Sequence, residues 1–465
     1  MEPLPLSRLA EFAQARITSG DPAVTVARVS TDSRTIQPGE LFVAIRGDIF
    51  DGHKFVEEVA ARGAAGALVA EEWKGTVPKT FALLRVADTL MGYQQIAAGY
   101  RRCLSLKVIA ITGSNGKTST KDFVAAALGH KFRVTKTEGN FNNHIGLPRT
   151  ILEASAEDQI AVWELGMNHP GEIAALAAIA APEVGIITNI GIAHIEFMGS
   201  REAIAQEKGA LAEAIGAEGT MILNGDDPFS GSIAQRTRAK IVLAGVNRGA
   251  VRAEDVTQSA SGSEFTIMEG AHRCRAQLPV PGLHMVQNAL LAVATGRIFG
   301  LSLEECASGL ASTPLTRARL QLRDIAGVQF LDDSYNANPE SMKAALRTLM
   351  ELDAEGQRIA VLGQMSELGA ESDRAHAEVG EEAATLRIDH LITIGEIGAS
   401  IARAAERAGL ENTTTVADAR EAAGALSAIA APGDLVLVKG SRSARTERVL
   451  EEFSDQQSAI SNSAA

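Results

Sequence analysis

The segment from Ile109 to Thr120, I-A-I-T-G-S-N-G-K-T-S-T, holds residue types that suit phosphate chemistry, in a suitable order. An apolar strand over residues 108–111 is predicted to enter a glycine-rich turn, and a helix is predicted to begin at Lys117. Such a turn directs backbone N–H groups and the positive end of the helix dipole at one point. Lys117 would then reach the β- and γ-phosphates, and the Thr118 hydroxyl would bind Mg²⁺.

This pattern, T-G-x-x-G-K-T, is shorter than the full Walker A motif, because the position five residues before Gly116 holds Ile111. The alternative is a strand–turn–helix joint whose glycines serve only the turn. The combination of G-K-T with a preceding strand favours nucleotide binding. The sequence therefore predicts a nucleoside triphosphate site at Gly113, Ser114, Asn115, Gly116, Lys117, Thr118 and Ser119.

Asparagines and a carboxylate follow the next predicted strands. Asn140, Asn142 and Asn143 lie in a loop bounded by glycines, where their amides could bind a sugar or amide ligand or could form a cluster of Asx turns. Glu164 ends an apolar strand, at the position where doubly wound sheets present catalytic and metal-binding groups. Its carboxylate is predicted to hold Mg²⁺ opposite the triphosphate. The alternative is a helix N-terminal residue without a ligand.

Three more polar segments each follow a predicted strand. His194 could ligate a metal or contact phosphate, although a lone histidine at such a position is as readily structural. Residues 332–341, D-D-S-Y-N-A-N-P-E-S, combine a polar platform with helix-capping residues. Lys439 and Arg442, near a glycine at a predicted helix start, form a candidate anion site. Lys208, on the helix after His194, would ordinarily be a solvated surface lysine.

The elements that must position these side chains alternate strands with helices, so the predicted fold class is α/β. A chain of 465 residues corresponds to about three domains. The predicted units are a small α/β N-terminal domain at 1–104, a central, mainly parallel sheet with the phosphate turn at 105–316, and a third α/β domain at 317–465. The third is expected to begin with a hairpin across residues 326–327. A disordered tail is predicted from about residue 454.

The composition argues against several classes of partner. Lys and Arg number 44 against 57 Asp and Glu, and the net charge of −13 argues against nucleic-acid binding and against docking on anionic membranes. Three widely separated cysteines lack metal-binding spacing and indicate reduced thiols in a cytoplasmic protein. No apolar run reaches the ~20 residues that span a bilayer, and no secretion signal is visible. We expect a cytoplasmic protein without membrane insertion.

Jointly, the motifs resemble those of the Mur ligase family along nearly the whole chain. They are T-D-S-R at 31–34, G-E-L-F-V-A-I at 39–45, D-G-H-K-F at 51–55, T-G-S-N-G-K-T at 112–118, G-N-F-N-N-H-I-G-L-P at 139–148, E-L-G-M-N at 164–168, D-S-Y-N-A-N-P-E-S-M at 333–342, L-G-Q-M-S-E-L-G at 362–369 and K-G-S-R at 439–442. Several of these strings are weak alone, but their occurrence together in this order is specific. One minor departure is residues 445–447, R-T-E, where the family pattern K-G-S-R-x-x-x-M-E is expected.

The resemblance implies an ATP-dependent ligase that joins D-alanyl-D-alanine to UDP-N-acetylmuramoyl-tripeptide through an acyl phosphate, in peptidoglycan precursor synthesis. It also implies that the N-terminal domain holds the UDP end of the substrate, that the central domain binds ATP, and that a Rossmann-like C-terminal domain brings the dipeptide. Closure of the third domain onto the central one would then be required. A monomer is expected, and the third residue of the tripeptide, lysine or diaminopimelate, stays open.

The same resemblance assigns roles to individual residues. On the substrate side it implies Ser33, Arg34 and His53 near the UDP-sugar, Asn140, Asn142 and Asn143 at the muramoyl group, and Lys439 and Arg442 as further contacts. On the nucleotide side it implies Asn288 at adenine, Arg319 at phosphate or ribose, Asp333 at ribose, and Asn336 and Asn338 at the border of the site. The implied catalytic residues are Lys117, Glu164, His194 and Lys208.

The implied metal ligands are Thr118, Glu164, His194 and Lys208, with two Mg²⁺ ions expected. Lys208 would serve as a carbamate, formed with CO₂, because a carbamate has carboxylate-like oxygens that suit Mg²⁺. An unmodified surface lysine is the alternative. Other functions to weigh are a folylpolyglutamate synthetase-like ligase, a P-loop kinase, and a non-catalytic nucleotide-binding regulator. T-D-S-R and L-G-Q-M-S-E-L-G favour a cell-wall ligase over the folylpolyglutamate synthetase-like ligase. A kinase would form a phosphorylated product without the dipeptide, and a regulator would need Gly116 and Lys117 but not Glu164 and His194.

Overall fold

The structure of the protein is a computed structural model that describes residues 1–47 and 49–464, with side chains up to residue 459. Three sheets of five, nine and six strands follow one another along the chain, each with helices packed on it. This arrangement confirms the predicted α/β class with three units. The unit boundaries at 104 and 316 stay predictions.

The first unit contains short strands and three helices. Its strands are β1 Leu4–Pro5, β2 Arg16–Ser19, β3 Thr25–Val26, β4 Val29–Ser30, β5 Leu41–Val43, β6 Gly66–Ala70 and β7 Ala82–Val86. Its helices are α1 Leu6–Ala13, α2 Val56–Ala61 and α3 Thr89–Cys103. The sheet has the order β2-β7-β6-β5-β4, and β1 pairs separately with β3.

The central unit contains the largest sheet. Its strands are β8 Lys107–Thr112, β9 Val134–Lys136, β10 Ile160–Glu164, β11 Val184–Ile187, β12 Thr220–Asn224, β13 Lys240–Ala244, β14 Val251–Ser259, β15 Gly262–Glu269 and β16 His272–Leu278. Its helices are α4 Lys117–Gly129, α5 Gly146–Glu153, α6 Glu172–Ala180, α7 Ile195–Met198, α8 Arg201–Ala214, α9 Ser230–Ala234, α10 Leu283–Ile298 and α11 Leu303–Ala311. The strand order is β16-β15-β14-β13-β12-β11-β8-β10-β9. Strands β8 to β14 run parallel, and β14 to β16 form an antiparallel meander that the sequence analysis did not predict.

The third unit begins with the predicted hairpin. Its strands are β17 Gln321–Ile325, β18 Val328–Asp333, β19 Arg358–Leu362, β20 His390–Ile394, β21 Thr413–Val416 and β22 Leu435–Lys439. Its helices are α12 Pro339–Glu351, α13 Ser372–Leu386, α14 Gly395–Arg407, α15 Ala419–Ile429 and α16 Glu447–Ala464. The strand order is β17-β18-β22-β19-β20-β21, parallel apart from the antiparallel β17–β18 hairpin.

Strand β8 is apolar because both of its faces are covered. Ile109 and Ile111 belong to a core shared with α4 and α10, whereas Val108 and Ala110 belong to a core on the other face that includes α3. Such two-sided burial is typical of parallel strands in α/β proteins. It places the phosphate turn at the end of a rigid central strand. None of the described helices is long and apolar enough to cross a membrane.

The structure describes a helix over most of the segment for which a disordered tail is predicted. Helix α16 continues through the polar segment to Ala464. Its first turns bury Val449, Leu450 and Phe453 in the core of the third unit, and the hydroxyl of Ser427 donates to Gln456 at 2.9 Å. A helix stabilised by such packing extends into residues that would not nucleate one alone. Residue 465 lies outside the described part.

Two rows of strand ends provide the positions for chemistry. The loops after β8, β10 and β11 are neighbours, because Glu164 pairs with Ile111 and Ile187 pairs with Thr112 in the strand register. In the third unit, Lys439 at the end of β22 lies beside Asp333 and Leu362 at the ends of β18 and β19. Carboxyl ends of parallel strands are where open α/β sheets bind ligands.

Candidate active site

The phosphate turn is shaped by close contact with α10. Gly116 is the N-cap of α4 and has φ +78°, in the left-handed region that favours glycine. A Cβ at this position would lie 2.5 Å from Oδ1 of Asn288, so the close approach also requires glycine. No side chain among the described residues caps α4. Its first N–H groups are therefore available to a ligand.

Lys117 extends back across the turn. Its ammonium donates to the carbonyl oxygen of Gly113 at 2.7 Å. Burial lowers the pKa of this ammonium below its ordinary value; the charge of Glu164 opposes the shift, and Arg319 adds to it. A bound phosphate would favour the charged form, because a nearby opposite charge stabilises it.

Glu164 is 1% exposed at the end of β10 and is incompletely hydrogen-bonded. Its Oε2 accepts from the Thr118 hydroxyl at 3.3 Å and from the Asn142 amide at 3.4 Å. Its Oε1 has no hydrogen-bond partner within the described residues and lies 3.5 Å from the ammonium of Lys121. A buried carboxylate with few and long contacts is costly unless a cation approaches it.

His194 links the central unit to the third unit. It adopts a left-handed conformation with φ +64° before α7, and its Nδ1 hydrogen-bonds to Oε2 of Glu367. The backbone N–H of Glu196 donates to the carbonyl of Glu367 at 3.2 Å. The bond from His194 holds the pKa of the Glu367 carboxyl below its ordinary value. His194 is therefore placed at the contact between the two units.

Arg319 and Asn338 approach the phosphate turn from the third unit. The guanidinium of Arg319 lies 4.1 Å from the ring centre of Tyr335 and donates to the Thr118 hydroxyl at 3.3 Å. Its buried Nε has no partner in the described part of the chain. The amide of Asn338 donates to Oδ1 of Asn115 at 2.6 Å. These contacts bring the two rows of strand ends face to face.

Lys439 and Asp333 form a buried ion pair on the same side. The ammonium of Lys439 lies 2.5 Å from Oδ2 of Asp333 and donates to the carbonyl of Asn336 at 2.9 Å. Burial lowers the pKa of Lys439, although Asp333 opposes this shift. Burial also lowers the pKa of the adjacent His284 to about 4. His284 is therefore neutral at physiological pH.

The two rows of strand ends enclose a cavity of about 580 Å³. This volume lies within the usual range for small-molecule sites. The predicted residues that line it are Ser114, Asn115, Gly116, Lys117, Thr118, Ser119, Asn140, Asn142, Asn143, Glu164, His194, Asn288, Arg319, Asp333, Asn336, Asn338, Lys439 and Arg442. The predicted residues that do not line it are Gly113, Lys208, Ser33, Arg34 and His53.

The ordinary expectation of a solvated surface lysine at Lys208 is wrong. Lys208 is 1% exposed on α8. Burial lowers the pKa of its ammonium well below the ordinary value, the charge of Lys117 lowers it further, and Glu207 opposes the shift. Within the described residues nothing forms a hydrogen bond or an ion pair with this amine. Lys208 is buried because α8, the helix that carries it, packs against α6 and the central sheet.

The three candidates in the N-terminal unit lie away from the cavity. His53 is buried, with Nδ1 bonded to Asp51 at 2.7 Å and Nε2 accepting from the N–H of Ala70 at 2.9 Å. Arg34 is 86% exposed in its side chain and pairs with Asp32. His53 therefore has no free ring nitrogen for a ligand, whereas Arg34 is open to solvent.

Two residues at the site were missed by the sequence analysis. Lys121 lies between Glu164 and Asp122, 3.5 Å from each carboxylate, and donates to the carbonyl of Thr137 at 2.8 Å. Its spacing of three residues after Thr118 was an available signal, because such residues share a helix face. Glu367 lies within the L-G-Q-M-S-E-L-G string, but no local pattern indicates its contact with His194.

Three family models match the chain. They are described as Mur ligase family, catalytic domain, at residues 25–80; Mur ligase middle domain, at residues 111–296; and Mur ligase, glutamate ligase domain, at residues 318–442. The matched ranges include the phosphate turn, Glu164, Arg319 and Lys439.

Two relatives carry the name UDP-N-acetylmuramoyl-tripeptide–D-alanyl-D-alanine ligase. The protein from Bacillus subtilis is 38% identical over 430 residues, which cover 91% of this chain and 92% of the relative. The protein from Escherichia coli is 35% identical over 457 residues, which cover 97% of this chain and 98% of the relative.

Solved structures resemble the whole chain as well. A crystal structure of MurF from Acinetobacter baumannii matches with a TM-score of 0.91 and 32% identity, covering 98% of this chain and 99% of that one. The MurF ligase of Thermotoga maritima in complex with ADP matches with a TM-score of 0.84 and 28% identity, covering 93% and 98%.

Proposed function

Because the chain belongs to the Mur ligase family, we propose that it joins D-alanyl-D-alanine to UDP-N-acetylmuramoyl-tripeptide at the expense of ATP. The reaction would form the peptide part of a peptidoglycan precursor. The observation that carries this proposal is the similarity to ligases of that name over more than nine-tenths of both chains. The cavity between two sheet edges fits the reaction, because it opens to groups from two separate units.

The chemistry must activate a carboxylate, since a carboxylate resists attack by an amine. A carboxylate oxygen of the tripeptide attacks the γ-phosphorus of ATP, ADP leaves, and an acyl phosphate results. The dipeptide amine then adds to the acyl carbon, loses a proton, and inorganic phosphate leaves as the amide forms. The phosphoryl step needs alignment and charge neutralisation above all. Lys117 and the free N–H groups of α4 can supply both.

Mg²⁺ is general for this family, and the residues present fit one ion. Glu164 has a buried oxygen without a hydrogen-bond partner in the described structure, and its other oxygen contacts the Thr118 hydroxyl. The described residues contain no group of three His, Cys, Asp or Glu side chains placed to hold a metal. This suits Mg²⁺, which often binds one or two protein groups together with phosphates and water. When bound, the ion would neutralise phosphate charge.

We further propose that Lys208 is carbamylated and, with His194, holds a second Mg²⁺. Carbamylation requires a neutral amine: the amine nitrogen bonds to the carbon of CO₂, and the proton lost goes to solvent. The depressed pKa of Lys208 and the absence of a described partner for its amine support this step. Lys208 is 1% exposed, so bulk water has little access to the amine.

The carbamate is testable without an activity assay. Protein equilibrated with ¹³C-bicarbonate should show one carbamate carbon resonance that Lys208→Ala removes, while Lys107→Ala, at an exposed site on β8, keeps it. Lys208→Ala should also lose most ligase activity, and acetate should partly restore it by filling the vacated space. A variant with near-normal turnover and an unchanged spectrum would contradict the carbamate.

For the remaining site residues the proposal follows the cavity lining. Asn288 would contact adenine, Arg319 phosphate or ribose, and Asp333 ribose, with Asn336 and Asn338 at the border. Asn140, Asn142 and Asn143 would contact the muramoyl group, and Lys439 and Arg442 the substrate. Ser33 and Arg34 would lie near the UDP end, where His53 would act by holding the fold.

Because both ATP and UDP-linked precursors are cytoplasmic, we infer the same location for this protein; its monomeric state stays a prediction.

The deciding experiment measures phosphate release from ATP in the presence of UDP-N-acetylmuramoyl-tripeptide. D-alanyl-D-alanine should accelerate release and L-alanyl-L-alanine far less, because the acceptor site must discriminate configuration. Phosphate release that no dipeptide stimulates would favour a hydrolase, and formation of ADP with a phosphorylated product but no free phosphate would favour a kinase. Equal stimulation by both dipeptides would show that the acceptor has been misidentified.

A further inference from the structure

The chain that joins the central and third units runs from α11 to β17, through residues 312–320. Two of its residues, Ala318 and Leu320, have φ of +59° and +53°. Side chains with a Cβ adopt this left-handed conformation only at a cost. Something in the surroundings must therefore hold the joint in this shape.

The buried carboxylate of Asp122 on α4 holds the middle of the joint. Its Oδ2 accepts from the backbone N–H of Thr316 at 2.9 Å and from the Thr316 hydroxyl at 2.7 Å. Its Oδ1 accepts from Lys136 at 2.8 Å. Burial alone would raise the pKa of this carboxyl, but the charge of Lys121 and the bonds from Lys136 and Thr316 hold it below its ordinary value. Asp122 is therefore a fixed anion, 1% exposed, bonded to the joint.

The same helix contacts the joint a second time. Thr118 and Asp122 are four residues apart on α4 and so lie on one face of the helix. Thr118 accepts from Arg319 at 3.3 Å, and Asp122 accepts from Thr316. The two strained residues, Ala318 and Leu320, lie on either side of Arg319 in the sequence. A change in the conformation of the joint would therefore move the Arg319 guanidinium relative to the phosphate turn.

We propose that Asp122 is a positioning residue, which anchors Thr316 so that Arg319 is delivered to Thr118 at the nucleotide site. The proposal rests on the proposed function, since it concerns the same reaction. Asp122 does not line the large cavity. It acts through the joint, and it also couples the phosphate turn to the relative position of the third unit.

The test is a double-mutant cycle between Asp122 and Arg319, measured as kcat/KM for ATP. Asp122→Asn keeps the side-chain shape but removes the charge that holds Thr316 and Lys136. We expect kcat/KM to fall about tenfold, mainly through a higher KM, because residues linked through one hydrogen-bonded segment commonly couple on this scale. With Arg319→Ala already present, the same substitution should change kcat/KM by less than about twofold. Equal losses in both backgrounds would overturn the proposal.

Thr316→Val provides a second route in case Asp122→Asn fails to fold. It removes one of the two hydrogen bonds that Thr316 donates to Asp122, so we expect a smaller loss that again disappears with Arg319→Ala. Thr313→Val is the matched control, because that hydroxyl lies in the same connection but donates to the carbonyl of Gly309 in α11 at 3.1 Å and not to Asp122. It should leave kcat/KM unchanged. If Thr316→Val lowers kcat/KM by the same factor in the Arg319→Ala background, Asp122 does not act by anchoring Thr316.

The affinity for ADP should also be measured by calorimetry for the parent, the two single variants and the double variant of this cycle. A parent protein that binds ADP but does not ligate D-alanyl-D-alanine would refute the proposed reaction and leave the cycle on ADP affinity interpretable. Conversely, normal ligation with strictly additive effects of Asp122→Asn and Arg319→Ala on both readouts would refute only the anchor.

Discussion

The cavity and the N-terminal unit both contain polar residues that the sequence singled out, but the two regions bond them differently. In the cavity, two buried groups are incompletely bonded: Oε1 of Glu164 and Nε of Arg319 lack hydrogen-bond partners within the described residues. In the N-terminal unit, both ring nitrogens of His53 are bonded, and Arg34 is paired with Asp32.

This difference separates the two cavity groups, which would bind a ligand, from His53, which stabilises the fold. An unsatisfied buried polar group costs about 1–3 kcal/mol. The cavity groups carry that cost in the free protein and would recover it when a nucleotide and a cation bind. His53 already has its partners and contributes to stability without a ligand. Substitutions in the cavity should therefore change catalysis, and substitution of His53 should change stability.

The largest expected effect is that of Lys117→Ala. We expect turnover to fall by more than about a hundredfold, because the ammonium is a preorganised donor to the transferring phosphoryl group. The free energy of unfolding should change little, since Lys117 bonds only a carbonyl of its own turn. Steady-state kinetics and thermal unfolding of the purified variant check both parts. Lys107→Ala, at an exposed position on the strand that precedes the turn, is the control, and an unchanged rate in folded Lys117→Ala would refute the phosphate site.

Glu164→Gln should have the next largest effect. The amide keeps the shape of the carboxylate but not its charge, so we expect turnover to fall by roughly tenfold or more. The Mg²⁺ concentration for half-maximal rate should also rise. A magnesium titration of the variant, with exposed Glu157→Gln as the control, measures both. If the magnesium dependence stays that of the parent, Glu164 does not contact the ion.

His53→Ala should give the opposite pattern. It leaves the N–H of Ala70 and the carboxylate of Asp51 without their partner, so we expect a loss of about 1–3 kcal/mol in the free energy of unfolding. The KM for ATP should not change. Arg34→Ala should leave stability unchanged and raise the KM for the UDP-linked substrate. Urea unfolding and KM measurements on both variants test these expectations. If His53→Ala is as stable as the parent and has a raised KM for the UDP-linked substrate, His53 contacts the substrate and the contrast with the cavity residues is wrong.

Removal of residues from Ser454 onward should have the smallest effect. The truncation keeps Val449, Leu450 and Phe453, which provide the packing of α16, and removes the bond between Ser427 and Gln456. We expect the free energy of unfolding to fall by less than about 1 kcal/mol, the scale of one partly exposed hydrogen bond, with turnover unchanged. Calorimetric unfolding of the truncated chain measures this. A large loss would show that the last turns of α16 carry more of the packing than their polar composition indicates.

Features that depend on consecutive residues could be predicted from the sequence. The phosphate turn, the strand before it and the start of α4 follow from T-G-x-x-G-K-T, because neighbouring residues set the backbone path there. The α/β class and the β17–β18 hairpin follow from the spacing of apolar strands and turn residues. The meander of β14 to β16 was missed because its polar outer face gives a weaker signal than the buried parallel strands.

The tertiary structure alone decided the features that depend on how the sheets pack. His194 meets Glu367 across 173 residues, and Arg319 meets Thr118 across 201 residues. The burial of Lys208 and the satisfied ring of His53 likewise depend on neighbours from other elements. The sequence by itself determined which residues have the chemical groups for phosphate transfer. The packing determined which of those groups lack partners, because hydrogen bonds and burial are properties of the surroundings and not of the residue type.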